Sequence, residues 1–152
     1  MGQRPKANSN GPEIVLPTAT FDETVIVADN DSMMRGLLRT ALEQPRRTLL
    51  LCADGLEAVE LATQTLATMV LLDLRMPRMD GIEACLQIRE LPRYRSVPIV
   101  ILTVFDGDTL KRRALKAGAT SFLAKPFSRG ELLLAVNPLI DAYRRKMEQE
   151  RH

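Results

Sequence analysis

After residue 20, five short apolar runs alternate strictly with five stretches of helical periodicity, and this alternation narrows the chain to one kind of architecture. The runs are Thr24–Ala28, Thr48–Cys52, Met69–Asp73, Ile99–Thr103 and Ser121–Ala124. Each is too short for a buried helix, and the first is rich in β-branched residues, so each reads as a strand. Met69-Val-Leu-Leu-Asp73 is apolar until its last residue, the pattern of a strand buried on both faces of a parallel sheet. Between the runs, Met34, Leu37, Leu38, Ala41 and Leu42 recur at helical spacing, with Ser32 as a candidate N-cap and Pro45 as a stop. Leu56 and Val59 open a second helix after Asp54-Gly55, and Ile82, Cys85 and Ile88 mark a third, ended by Pro92. Asp106 or Asp108 caps a fourth, with Leu110, Ala114 and Ala117 inward, Lys111, Arg112 and Lys116 outward, and Gly118 at its end. The last begins near Ser128 and carries Leu132, Leu133, Val136, Ile140, Tyr143 and Met147. Strict strand–helix alternation predicts an α/β fold, an open and mostly parallel sheet covered on both faces.

A chain of 152 residues suits one domain. Residues 1–20 hold Gly2, Pro5, Gly11 and Pro17 among polar residues and read as a flexible tail; 21–147 form the domain and 148–152 a C-terminal tail. Lys and Arg total 21 against 19 Asp and Glu, a net charge of +2, which excludes an acidic disordered chain and a strongly basic nucleic-acid binder. No apolar run approaches the roughly 18 residues of a membrane span. The N-terminus lacks the apolar core of a signal peptide, so the cytoplasm is the expected compartment. Cys52 and Cys85 stand alone in apolar segments, without ligand spacing for zinc, and are expected to be reduced core thiols.

Ligands of open α/β sheets bind at the carboxyl ends of the strands. The polar residues fall there: Asp29 and Asn30 after the first run, Asp73 ending the third, Thr103 ending the fourth, Lys125 following the fifth. Two carboxylates and an amide oxygen at one rim are hard ligands suited to Mg²⁺, which takes few protein ligands and keeps several waters. A lysine beside them supplies a compact positive charge for a phosphate oxygen, and a threonine hydroxyl supplies a movable donor. Asp31 is expected to cap the first helix rather than join the metal, and Asp80-Gly81 to form a turn and cap.

From about Thr24 to about Met147 the chain resembles a response-regulator receiver domain of two-component signalling. The matching pieces are Val-Ile-Val-Ala-Asp29-Asn30-Asp31, the loop from Asp73 through Met76-Pro77 to Asp80-Gly81, Ile-Leu-Thr103 and Ala-Lys125-Pro126-Phe127. The resemblance implies the flavodoxin-like fold, a three-layer sandwich with five parallel strands in order 2-1-3-4-5 and five helices. It implies Asp73 as phosphoryl acceptor, with Asp29, Asn30 and Asp73 holding Mg²⁺. Thr103 takes the place of the switch hydroxyl, Lys125 of the phosphate-stabilising lysine and Phe122 of the aromatic switch. The donor is then a histidine kinase or phosphotransfer protein. The output is a protein-binding face made by the fourth helix, fifth strand and fifth helix, used for a homodimer or an effector, with no direct contact to nucleic acid or membrane. The module is a phosphoryl acceptor with slow self-dephosphorylation at most, rather than an enzyme.

Three departures from that pattern stand out. Asn30 replaces the usual acid and removes one negative charge. Val104 replaces a small residue. Arg75 and Phe105, two residues past Asp73 and Thr103, flank the path of the hydrolytic water and are expected, with Val104, to tune hydrolysis. Asn30 and Val104 also support an alternative, a pseudo-receiver that docks without phosphorylation. A flavin or small-molecule enzyme on the same fold is disfavoured, because no glycine-rich phosphate loop follows the first strand. Pro138 predicts a kink or a restart of the last helix with Asn137 as N-cap. Leu139, Ile140, Tyr143 and Met147 beyond it are expected to pack against a second copy or a partner.

Overall fold

A computed structural model describes residues 11–16, 23–104 and 107–150. Its elements follow in the order β1 (Glu13–Val15), β2 (Glu23–Ala28), α1 (Ser32–Leu42), β3 (Arg47–Cys52), α2 (Gly55–Gln64), β4 (Met69–Asp73), α3 (Gly81–Glu90), a 3₁₀ turn (Pro92–Tyr94), β5 (Ile99–Thr103), α4 (Asp108–Lys116), β6 (Ser121–Ala124) and α5 (Arg129–Glu150). The sheet order is β1-β3-β2-β4-β5-β6. Every pairing from β3 to β6 is parallel. Leaving out β1, this is the order 2-1-3-4-5 expected above.

Strand periodicity divides the core in two. Val25, Val27, Met69 and Leu71 face a cluster with Leu38 and Leu42 of α1 and Val136 and Ile140 of α5. Ile26, Ala28, Val70 and Leu72 face the opposite cluster, with Ala58 of α2 and Ala84, Cys85 and Ile88 of α3. A one-residue slip in register would exchange these sets, so burial on both faces pins the strands. Both cysteines are free and buried.

Helix ends explain where the loops begin. Asp31, Asp54 and Asp80 are the N-caps of α1, α2 and α3, each accepting a backbone N–H within the first turn. Asp31 thus takes the capping place, with Ser32 as the first helical residue. The N-cap of α4 is Gly107, without a side-chain cap, and Asp108 is the first helical residue; Asp106 lies outside the described residues. At the other end of α4, Gly118 adopts φ 104°. Gly118 N–H donates to Leu115 and Ala119 N–H to Ala114, a closing pair of hydrogen bonds that needs the left-handed conformation glycine tolerates.

The termini differ from the expectation. Glu13–Val15 is not tail but an antiparallel edge strand on Leu49–Leu51. Val15 is buried, and Glu13 pairs with Arg39 at 3.2 Å. Three residues are too few to show a period, so only the partner strand reveals the element. Residues 1–10 and 17–20 of the expected tail lie outside the described residues. At the C-terminal end, α5 runs unbroken through Pro138 to Glu150, past the expected boundary at 147.

The helix does not restart at Pro138, and the apolar stripe beyond it is not surplus to the core. Pro138 and Leu134 are both exposed, so the Leu134 carbonyl that Pro138 cannot serve lies on the solvent side. Ile140 is buried in the α1-side cluster and Leu139 packs against it, while Tyr143 is buried in the opposite cluster with Met147 against it. A 22-residue helix is about 33 Å long, enough to lean on both halves of the core. Of the stripe expected to meet a second copy, the chain's own core buries Ile140 and Tyr143 and partly covers Leu139 and Met147.

Candidate functional site

The parallel register brings the polar strand ends together. Ala28 lies beside Leu72, Asp73 beside Leu102 and Thr103 beside Ala124, so Asp29, Asp73, Thr103 and Lys125 emerge on one rim. Lys125 N–H donates to the Thr103 carbonyl at 2.8 Å, which carries the lysine toward the centre of the sheet. Its Nζ donates to Asp29 Oδ2 at 2.8 Å and to Asp73 Oδ1 at 2.9 Å. Asp29 is 1% exposed, and its Oδ1 accepts the Asp31 N–H at 2.9 Å. Arg35 Nη1 donates to the Asp29 carbonyl at 2.6 Å and pulls the start of α1 against the rim.

Two carboxylates share one ammonium, which leaves a net negative charge in a partly buried pocket. Burial raises the pKa of Asp73; the Asp29 charge adds to the rise, and the Lys125 hydrogen bond opposes it. Burial works to lower the pKa of Lys125, but the hydrogen bonds and charges of Asp29 and Asp73 outweigh it and hold the ammonium charged. The donor set fits a hard divalent cation. Among the described residues no group of three or more His, Cys, Asp or Glu converges. A buried Asp29 beside an Asp73 that keeps some solvent access suits an ion such as Mg²⁺ that takes few protein ligands and keeps much of its water.

The loop that follows Asp73 is held by backbone contacts that exclude side chains. Gly81 N–H donates to the Leu74 carbonyl at 2.8 Å, and a Cβ on Gly81 would lie 2.3 Å from the Asp73 carbonyl oxygen. Gly55 N–H donates to the Met79 carbonyl at 3.1 Å, and a Cβ there would meet that oxygen at 2.3 Å. Arg78, at φ 65°, donates from Nε to Asp54 Oδ2 at 2.8 Å. Asp54, Gly55 and Arg78 were not singled out from the sequence as site-supporting residues. The Asp54-x-x-Glu57 capping pattern is a signal for the helix start, but nothing local shows that the loop beyond Asp73 rests on it.

The remaining expected residues are distributed around this centre. Thr103 is buried, and Phe122 is half-buried against the α2/α3-side core. Asn30 and Arg75 are exposed on the rim, and Val104 is 65% exposed. Phe105 lies outside the described residues.

A family model for the response regulator receiver domain matches residues 25–137. The chain belongs to the response regulator receiver family. Among curated relatives, the transcriptional regulatory protein PdtaR of Mycobacterium tuberculosis (strain H37Rv) is 35% identical over 83% of this chain and 60% of its own length. The response regulator MprA of Mycobacterium ulcerans is 36% identical over 83% of this chain and 53% of its own length. The receiver chain therefore spans little more than half the length of the curated relatives it matches. Among solved structures, the chemotaxis protein CheY4 of Vibrio cholerae superposes with a TM-score of 0.73 at 27% identity, covering 80% of this chain and 99% of that one. The receiver domain of the sensor histidine kinase PA1611 from Pseudomonas aeruginosa, with a magnesium ion in its active-site cleft, gives 0.72 at 29% identity, covering 78% and 98%. A receiver domain is a signalling module of two-component systems. Among the described residues no helix is long and apolar enough to cross a membrane.

Proposed function

We propose that this receiver domain works in the cytoplasm and accepts a phosphoryl group on Asp73 from a histidine kinase or phosphotransfer protein. The observation that carries this reading is the Lys125 ammonium held between Asp29 and Asp73, within 2.9 Å of each. An Asp73 carboxylate oxygen attacks the phosphorus of a phosphohistidine, the P–N bond breaks, and the leaving imidazole takes a proton. Asp29, Asn30 and Asp73 would hold Mg²⁺, which when bound neutralises charge on the transferred phosphoryl oxygens. Lys125 then trades its hydrogen bond to Asp73 for one to the acyl phosphate, a group of nearly two negative charges. The Thr103 hydroxyl follows, Phe122 turns into the space behind it, and the face of α4, β6 and α5 shifts between two arrangements. That face offers a surface to an effector or to a second copy. Arg75, Val104 and Phe105 slow the self-hydrolysis that ends the signal.

Acetyl phosphate with Mg²⁺ tests the reading. The wild-type chain should gain one phosphoryl group by intact mass spectrometry, and Asp73→Asn, which cannot form the acyl phosphate, should gain none. A second reading, docking without phosphorylation, rests on Asn30, where an amide replaces a carboxylate, and on Val104, where a branched side chain replaces a small one. It is favoured if neither acetyl phosphate nor any kinase labels the wild-type chain.

A further inference from the structure

We propose that the cleft between the β4–α3 turn and α4 docks an acidic, leucine-bearing segment of a partner protein. The cleft encloses about 330 Å³, room for two or three side chains rather than a large ligand. Leu74, Met76, Ile82 and Leu110 supply its apolar wall. The last three are only partly covered by the α2/α3-side core, so they keep surface for a visitor. Arg75 from the turn and Arg113 from α4 supply its charge, and both are exposed. Among the described residues the acid in the wall is Asp80, whose Oδ1 is engaged with the Glu83 N–H as the cap of α3.

The charge is local rather than a property of the whole chain. Within its nine residues α4 sets Lys111, Arg112, Arg113 and Lys116 against Asp108, while the complete chain carries only +2. Guanidinium groups match carboxylates with two parallel hydrogen bonds, and the apolar wall suits a leucine beside them. Nucleic acid fits less well, because among the described residues the wall holds no aromatic ring on which a base could stack. The cleft shares Arg75 with the residues proposed to tune hydrolysis and α4 with the switching face, but its wall does not include Asp29, Asp73 or Lys125, so peptide binding does not require the phosphoryl acceptor itself.

Titration of the ¹⁵N-labelled full chain with a capped peptide of repeating Glu-Glu-Leu, followed by NMR, tests the proposal. Saturable shifts should centre on Leu74, Ile82, Leu110 and Arg113. Arg113→Gln should weaken binding about tenfold, the equivalent of one charge-assisted hydrogen bond. Arg112→Gln, the same charge change outside the cleft wall, should weaken it less than about twofold if only screened, long-range attraction is lost. Asp73→Asn should bind as the wild type does, whether or not Asp73 proves to be the phosphoryl acceptor. Equal loss in the two arginine variants, equal binding of a Gln-Gln-Leu peptide, shifts centred elsewhere, tighter binding of a thymidine oligonucleotide, or no saturable binding each overturns it.

Discussion

Arg47 Nη2 donates to Asn137 Oδ1 at 2.9 Å, one residue before the proline inside α5. The same guanidinium donates from Nε to Glu23 Oε2 at 2.9 Å and from Nη1 to the Leu42 carbonyl at 3.0 Å. Arg144, further along α5, reaches the other Glu23 oxygen at 3.3 Å. Arg47 is 2% exposed and Glu23 8%, so this is a buried network at the edge opposite the site, joining β2, β3, α1 and α5. Removing one partner of a buried pair costs more than the pair contributes, because the other charge stays desolvated. Arg47→Met should destabilise the fold by about 3 kcal/mol, the low end of the usual range because Arg144 still faces Glu23. Asn137→Ala should cost about 1 kcal/mol. Urea unfolding measures both, and an Arg47→Met loss below that of Asn137→Ala would show that the network is not desolvated.

Pro138 is tolerated rather than required. It is exposed, so replacing it with alanine loses no packing. The helix-propensity gain of about 3 kcal/mol is offset by up to about 1 kcal/mol of added freedom in the unfolded chain. Pro138→Ala should therefore raise stability by about 2 kcal/mol in the same urea experiment. A loss would mean that the proline shapes α5 against the core.

Gly81 is needed for its missing side chain. A Cβ placed 2.3 Å from the Asp73 carbonyl oxygen forces the backbone that carries Asp73 to move. Gly81→Ala should destabilise by about 1–3 kcal/mol, as overpacking does. It should also slow labelling by acetyl phosphate, while Gly107→Ala, with nothing within 4 Å, should leave the labelling rate unchanged.

Asn30→Asp should tighten Mg²⁺ binding, because it adds a negative charge to a site where two carboxylates already share Lys125. The same charge raises repulsion in the metal-free protein, so the variant should be less stable than wild type without Mg²⁺ and regain stability with it. Thermal unfolding across a Mg²⁺ series reads both effects. Identical Mg²⁺ dependence in the two proteins would remove Asn30 from the metal site.

The thiols should be silent. Burial pushes Cys52 up to about 12, with the Glu57 and Asp54 charges adding to it, and Cys85 up to about 11. A native pKa above the unfolded one stabilises the fold below the unfolded value, and that contribution is lost as pH rises through the native value. Stability should thus decline between pH 9 and about 12. At pH 8 a thiol reagent should modify neither cysteine in the folded protein and both in denaturant; rapid native labelling would place a thiol at the surface.

The sequence by itself determined the alternation of strands and helices, the two-faced burial of the central strands and the polar residue at each strand end. These depend on the period of neighbouring residues and on residue type, which a linear chain displays. Asp29, Asp73, Thr103 and Lys125 could be placed on one rim because a parallel sheet puts all its carboxyl ends on the same side. Tertiary structure alone decided the rest. Glu13–Val15 becomes a strand only because β3 offers it an open edge, and Gly81 is indispensable only because Asp73 passes beneath it. The apolar stripe beyond Pro138 looked unpartnered because its partners, the two halves of the core, lie far away in the chain. Arg47 and Asn137 are 90 positions apart. No local pattern encodes such a contact; packing brings the two together and excludes the water that would otherwise satisfy each of them.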